Sequence, residues 1–150
     1  MRSGRLDILL IDDEEHDRFF AQQATKKAGV AHNIHTVHSA EEAINYLRGV
    51  GSFADRQKFP LPNVILTDLK MPNMDGFGFL RWLRNHPKCS VIPTIVYSSS
   101  PLEKDVREAY RLGANAYIVK PSTISEMVET LRLMYEFWSR CECPSPPSAC

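Results

Sequence analysis

Five short apolar runs alternate with helical stretches along this chain, and that alternation constrains its fold more than any other feature. The runs cover residues 6–11, 33–37, 64–67, 93–97 and 116–119. They are rich in Val, Ile and Leu, and the central ones show no apolar–polar alternation, so both faces are expected to be buried. Strands of that kind belong to a parallel sheet with helices on each side. The expected fold class is therefore α/β, a doubly wound five-stranded parallel sheet with five helices, and right-handed crossovers leave few topologies.

The helices between the runs carry their own start and stop signals. The first is expected from Glu15 to Ala28, stopping at Gly29. Ser39-Ala40-Glu41-Glu42 reads as a capping box for the second, which ends before Gly49. The third covers residues 76–85 and stops before His86-Pro87, because a residue preceding proline avoids helical angles. Ser100-Pro101-Leu102-Glu103 is expected to cap the fourth, with Gly113 ending it. Thr123-Ile124-Ser125-Glu126 opens the last, which runs to about Ser139. Residues 49–62 form a long loop, and residues 140–150, rich in Cys, Pro and Ser, read as a disordered tail after one folded unit over residues 1–139.

Composition excludes several functions. Lys+Arg and Asp+Glu are both 18, so no basic surplus exists to grip a phosphate backbone, and nucleic-acid binding is not expected. No apolar run is long enough for a membrane span, and the first run is too short for a signal core, so a cytoplasmic protein is expected. Reduced thiols are then the default for Cys89, Cys141, Cys143 and Cys150. Cys141-Glu142-Cys143 lacks the second ligand pair a zinc site needs. His32, His35 and His38 sit close together without carboxylates, and they read as solvated histidines near an edge strand; His16 reads as exposed.

In a doubly wound sheet the ligand site lies at the carboxyl ends of the strands. Asp12-Asp13 ends the first strand, Asp68 the third, Ser98 the fourth and Lys120-Pro121 the fifth. Carboxylates a few ångströms apart repel by about 3–4 kcal/mol at an effective dielectric near 20, so the acids need a cation among them. Oxygen ligands beside phosphate favour Mg²⁺. One carboxylate can then attack phosphorus as a nucleophile, while a lysine and a serine hydroxyl stabilise charge on the phosphoryl oxygens.

These residues and their spacing resemble the response-regulator receiver domains of two-component signalling, the CheY-like family, over residues 6–138. The segment Asp68-Leu69-Lys70-Met71-Pro72-Asn73-Met74-Asp75-Gly76 looks like that family's phosphoacceptor loop, and Lys120-Pro121 like its signature pair. The resemblance, not the periodicity, supplies the flavodoxin-like strand order 2-1-3-4-5. It implies that Asp68 is the phosphoacceptor. It also implies that Asp13, Asp68 and the Lys70 carbonyl bind Mg²⁺, with Asp12 holding a metal-bound water. Ser98 and Lys120 would contact the phosphoryl oxygens, Tyr117 would be the switch aromatic paired with Ser98, and the Lys120–Pro121 bond would be cis.

The resemblance further implies a histidine kinase as partner and a response regulator rather than a metabolic enzyme, its only chemistry self-phosphorylation and autodephosphorylation. With no second domain following, output would pass to a downstream protein target or a phosphotransfer protein. The long loop before the phosphoacceptor strand resembles single-domain regulators that partner bacterial phytochromes. A phosphorylation-independent adaptor is the alternative, disfavoured by the intact acidic pocket. An aspartyl phosphatase would place an acid where Lys70 stands. On the last helix, Leu133 and Phe137 lie off the core stripe of Ile124, Met127, Val128, Leu131, Met134, Tyr135 and Trp138. They are expected at an interface, in keeping with a homodimer.

Overall fold

Period-two alternation within the first strand divides the interior into two halves. Ile8 and Leu10 face one side of the sheet, Leu9 and Ile11 the other, and all four are almost fully buried. The computed structural model describes residues 6–29, 33–145 and 150. Its strands are β1 (Asp7–Ile11), β2 (Asn33–Val37), β3 (Val64–Thr67), β4 (Thr94–Ser98) and β5 (Ala116–Val119). Its helices are α1 (Glu15–Lys27), α2 (Ala40–Arg48), α3 (Gly76–Arg84), α4 (Glu103–Arg111) and α5 (Ile124–Arg140). The strands pair in parallel in the order 2-1-3-4-5, as expected.

On one face, Ile8, Leu10, Val64, Leu66, Ile95 and Tyr97 pack against α1 and α5. Met127, Leu131, Met134 and Tyr135 supply the α5 stripe, and the Tyr135 hydroxyl shares a buried 2.8 Å hydrogen bond with Thr25 of α1. On the other face, Leu9, Ile11 and Ile65 pack against Ala43, Tyr46 and Leu47 of α2 and Phe79 and Leu83 of α3. Val96 joins Leu80 of α3 and Ala109 of α4 in a third cluster. Burying such side chains contributes about 1.5–3 kcal/mol each.

The long loop is ordered by a cation. Arg56 donates to the carbonyls of Tyr46 and Leu47, each at 2.8 Å, and so satisfies the C-terminal end of α2. Phe53 and Phe59 pack on Tyr46 beside it.

Several expectations differ from the structure. Strand β4 starts at Thr94 rather than Pro93, whose imide nitrogen has no proton for the ladder. Helix α4 starts at Glu103 with Leu102 as N-cap, because the Ser100 side chain is turned to Asp105 instead of capping. Cys89 and Cys150 form a disulfide where reduced thiols were expected. Cys150 returns to the α2–α3 core, its N–H donating to Leu47 O at 3.2 Å, and its Cα lies 5.5 Å from that of Cys89. That separation suits a disulfide, and nothing in the sequence announces it across 61 residues. Cys141 and Cys143 are free. Residues 146–149 of the expected tail and His32 lie outside the described residues.

Candidate functional site

The strand order reverses between β1 and β3, which opens a crevice above their carboxyl ends. The ladder continues one residue beyond each strand and fixes the functional residues there. Asp12 N–H donates to Val37 O at 3.1 Å, Asp68 N–H to Ile11 O at 2.9 Å and Lys120 N–H to Ser98 O at 2.8 Å. Asp12, Asp68 and Ser98 are all buried.

The loop after Asp68 is held from behind. Asn73 adopts φ 64°, and Asp75 caps α3 by accepting from Gly78 N at 2.8 Å. Gly76 N–H donates to Leu69 O at 2.8 Å. A Cβ at Gly76 would stand 2.2 Å from the Asp68 carbonyl oxygen, so only glycine lets α3 start this close to Asp68.

Lys120 is the centre of the site. Its ammonium donates to Asp12 Oδ2 at 2.7 Å, Asp17 Oδ2 at 2.8 Å and Asp68 Oδ2 at 2.9 Å. The second Asp68 oxygen, Oδ1, accepts from Leu69 N–H at 2.7 Å. Burial pushes the Asp12 carboxyl up to about 6 against the hydrogen bond from Lys120. Burial also favours neutral Lys120, yet its three carboxylate partners outweigh that and hold it above the ordinary lysine range.

The structure thus gathers Asp12, Asp17 and Asp68 within 4.8 Å of one another. Asp13, Lys70, Ser98 and Lys120 line the same cleft of about 520 Å³, together with Asp68, Ser99 and Ser100. The donors are all oxygen, which suits a hard divalent cation. Asp13 lines the cleft but is not one of the three clustered carboxylates.

Behind the cleft lies a polar relay. Ser98 Oγ accepts from Ser100 N–H at 3.2 Å, and Tyr117 donates its hydroxyl to Ser100 O at 2.7 Å. The Ser100 hydroxyl donates to Asp105 Oδ2 of α4 at 2.5 Å. Among the described residues no peptide bond is cis, so the Lys120–Pro121 bond is trans, contrary to expectation. Trans is the ordinary lower-energy state before proline, and Lys120 reaches its three acids with it.

Asp17 and Asp105 join these residues unannounced by the strand ends. Asp17 stands four residues beyond Asp13, in the first turn of α1, a spacing that could have flagged it. Asp105 gives no such signal, because Ser100-Pro101-Leu102-Glu103 marks its partner Ser100 as a helix cap. Leu133 and Phe137 are 52% and 60% exposed, so neither belongs to the core of this chain. His16 stacks on Phe20, and His38 pairs with Glu42.

A family model described as the response regulator receiver domain matches residues 8–132. The chain is 28% identical over 131 residues to the response regulator Rcp1 of Synechocystis sp., covering 87% of each chain. A crystal structure of Rcp1 in its Mn²⁺-bound form superposes with TM-score 0.80 at 27% identity, over 93% of this chain and 99% of that one. A response regulator in red light signaling of R. palustris matches at 32% identity and TM-score 0.87, over 93% of this chain and 99% of that one. The phosphorylated cyanobacterial phytochrome response regulator RcpA matches at 32% identity and TM-score 0.84, over 94% and 99%. Among the described residues no helix is long and apolar enough to cross a membrane.

Proposed function

The chain belongs to the response regulator receiver domain family, and from that premise we propose that Asp68 accepts a phosphoryl group from a histidine kinase. The observation that carries this reading is the buried Asp68 carboxylate, held by Lys120 and facing a cleft lined by Ser98. Asp13, Asp68 and the Lys70 carbonyl would hold Mg²⁺, with Asp12 holding a metal-bound water. The cation would supply charge neutralisation between the carboxylates and the incoming phosphoryl oxygens.

The chain's own residues do the rest. Asp68 attacks phosphorus, and the donor's leaving atom departs with the bonding electron pair. Lys120 shifts one N–H from the Asp68 carboxylate to a phosphoryl oxygen, and Ser98 Oγ turns from Ser100 N–H toward another. That movement loosens the Ser98–Ser100–Tyr117 relay and changes a protein surface. The chemistry is limited to the chain's own phosphorylation and dephosphorylation.

The red-light and phytochrome relatives, together with the long loop, support a phytochrome-type kinase as the donor. The same reading expects a cytoplasmic chain that passes its signal to a downstream protein or phosphotransfer partner. The exposed pair Leu133 and Phe137 supports self-association through α5.

The test is mass spectrometry after acetyl phosphate and Mg²⁺. One base-labile phosphoryl group should appear on the wild type and none on Asp68→Asn. An unlabelled wild type would favour the phosphorylation-independent adaptor.

A further inference from the structure

An ammonium has three protons to donate, and Lys120 has placed all three on carboxylates. Two of those carboxylates have other work in phosphoryl transfer. Asp68 becomes an acyl phosphate, so its carboxylate charge is lost. Asp12 would hold a metal-bound water. Asp17 is not the nucleophile, and with Asp13, Asp68 and the Lys70 carbonyl holding the cation its carboxylate is left to Lys120. It sits in the first turn of α1, where the helix N-terminus favours a negative charge, and its side chain is 34% exposed. Its Oδ2 accepts from Lys120 at 2.8 Å across 103 residues of chain. The neighbouring acids Glu14 and Glu15 are exposed. Lys120, by contrast, keeps only 8% of its side chain exposed, so a swing to solvent would remove it from the cleft.

We propose that Asp17 is a positioning residue for phosphoryl transfer. It tethers the Lys120 ammonium above Asp68 while Asp12 and Asp68 release it. The inference rests on the reading of Asp68 as phosphoacceptor. During transfer the donor's bond to phosphorus breaks, P–N in a phosphohistidine and P–O in acetyl phosphate, the departing atom keeps the electron pair, and a bond forms between phosphorus and an Asp68 oxygen. Lys120 keeps its three protons throughout. The N–H freed from Asp68 meets a phosphoryl oxygen, and the one held by Asp17 stays where it is. A fixed donor needs no reorganisation as charge develops, which is where such a tether acts.

The roles are separated by measuring phosphorylation rate against acetyl phosphate concentration at fixed Mg²⁺, for wild type, Asp17→Ala and Asp17→Asn. Asp17→Ala removes the acceptor and should lower the saturating rate about tenfold, with the half-saturating concentration unchanged. Asp17→Asn keeps an oxygen acceptor and should recover most of that loss. The ¹⁵N resonance of the Lys120 ammonium provides a readout that needs no phosphoryl donor. Its protons should exchange slowly with water in the wild type and fast in Asp17→Ala. Rates for both variants within twofold of wild type would overturn the proposal, as would a change confined to half-saturation or an unaltered Lys120 resonance. If Asp17→Ala does not fold, an Asp17→Asn rate below one-tenth of wild type would overturn it too, because an oxygen acceptor would then not suffice. Failure to label the wild type would instead overturn the phosphoacceptor reading, and this proposal with it.

Discussion

Ser100 donates its hydroxyl to the Asp105 carboxylate at 2.5 Å, and both side chains are buried. One end of this contact is the segment just after Ser98, the last residue of β4, and the other is α4. Ser100 also accepts from Leu102 N–H at 3.3 Å and receives the Tyr117 hydroxyl on its carbonyl at 2.7 Å. A turn of Ser98 Oγ away from Ser100 N–H would therefore loosen a short polar chain that reaches α4.

Asp105→Ala should cut that chain. Hydrogen exchange in α4 should quicken about tenfold or more, matching the loss of about 1.5–3 kcal/mol for a hydrogen bond to a charged group. The initial phosphorylation rate should change less than twofold, since Asp105 does not reach Asp68. The idea fails if α4 exchange is unaltered, or if phosphorylation slows in parallel.

Gly76→Ala should damage the site from behind. The new Cβ would fall 2.2 Å from Asp68 O and 2.8 Å from Leu69 Cα, and both are backbone atoms that cannot swing away. The start of α3 must then move, at a cost of about 1–3 kcal/mol for overpacking. Chemical denaturation should show that loss, and the labelling rate of Asp68 should fall with it. A variant as stable and as fast as wild type would mean the loop yields freely.

Asp12 sets a pH dependence whose sign follows from its burial. In the fold its carboxyl is pushed up to about 6, whereas in an unfolded chain it titrates near its ordinary value of about 4. The fold binds this proton more tightly, so the contribution is fully present below about 4 and is lost as pH rises through about 6. Asp12→Asn removes the effect. In EDTA, the stability of the variant relative to wild type should rise between pH 4 and 6.5, by up to about 3 kcal/mol, and then level off. A relative stability independent of pH would show that Asp12 is not held this way.

Much of this arrangement was readable from the chain because strand ends are local signals. Val64–Thr67 is bounded by Asn63 and Asp68, so the position of Asp68 followed directly from its strand. The same reasoning located Asp12, Ser98 and Lys120. What escaped was contact between distant side chains. Asp17 reads as an ordinary helix-start acid until Lys120 arrives from β5. Ser100 looks like a helix cap because Pro101 follows it, yet its hydroxyl finds a buried carboxylate instead. Cys150 meets Cys89 beside α2, across 61 residues of chain.

Leu133 and Phe137 lie four residues apart on α5, on the side away from Met127, Leu131, Met134 and Tyr135. Val119 at the edge strand is also exposed. In a twofold dimer each side chain is buried twice, so two apolar residues become four, each worth about 1.5–3 kcal/mol when fully buried. Replacing both with glutamate should cost the monomer little, within about 0.5 kcal/mol, because both positions face water. The dimer would lose that apolar burial and bring four like charges together. Leu133→Glu with Phe137→Glu should raise the dimer dissociation constant at least a hundredfold, a loss of about 2.7 kcal/mol or more. Sedimentation of the phosphorylated proteins should show a dimer for wild type and a monomer for the double variant, with equal thermal midpoints. An unchanged sedimentation profile would remove this face of α5 from the interface.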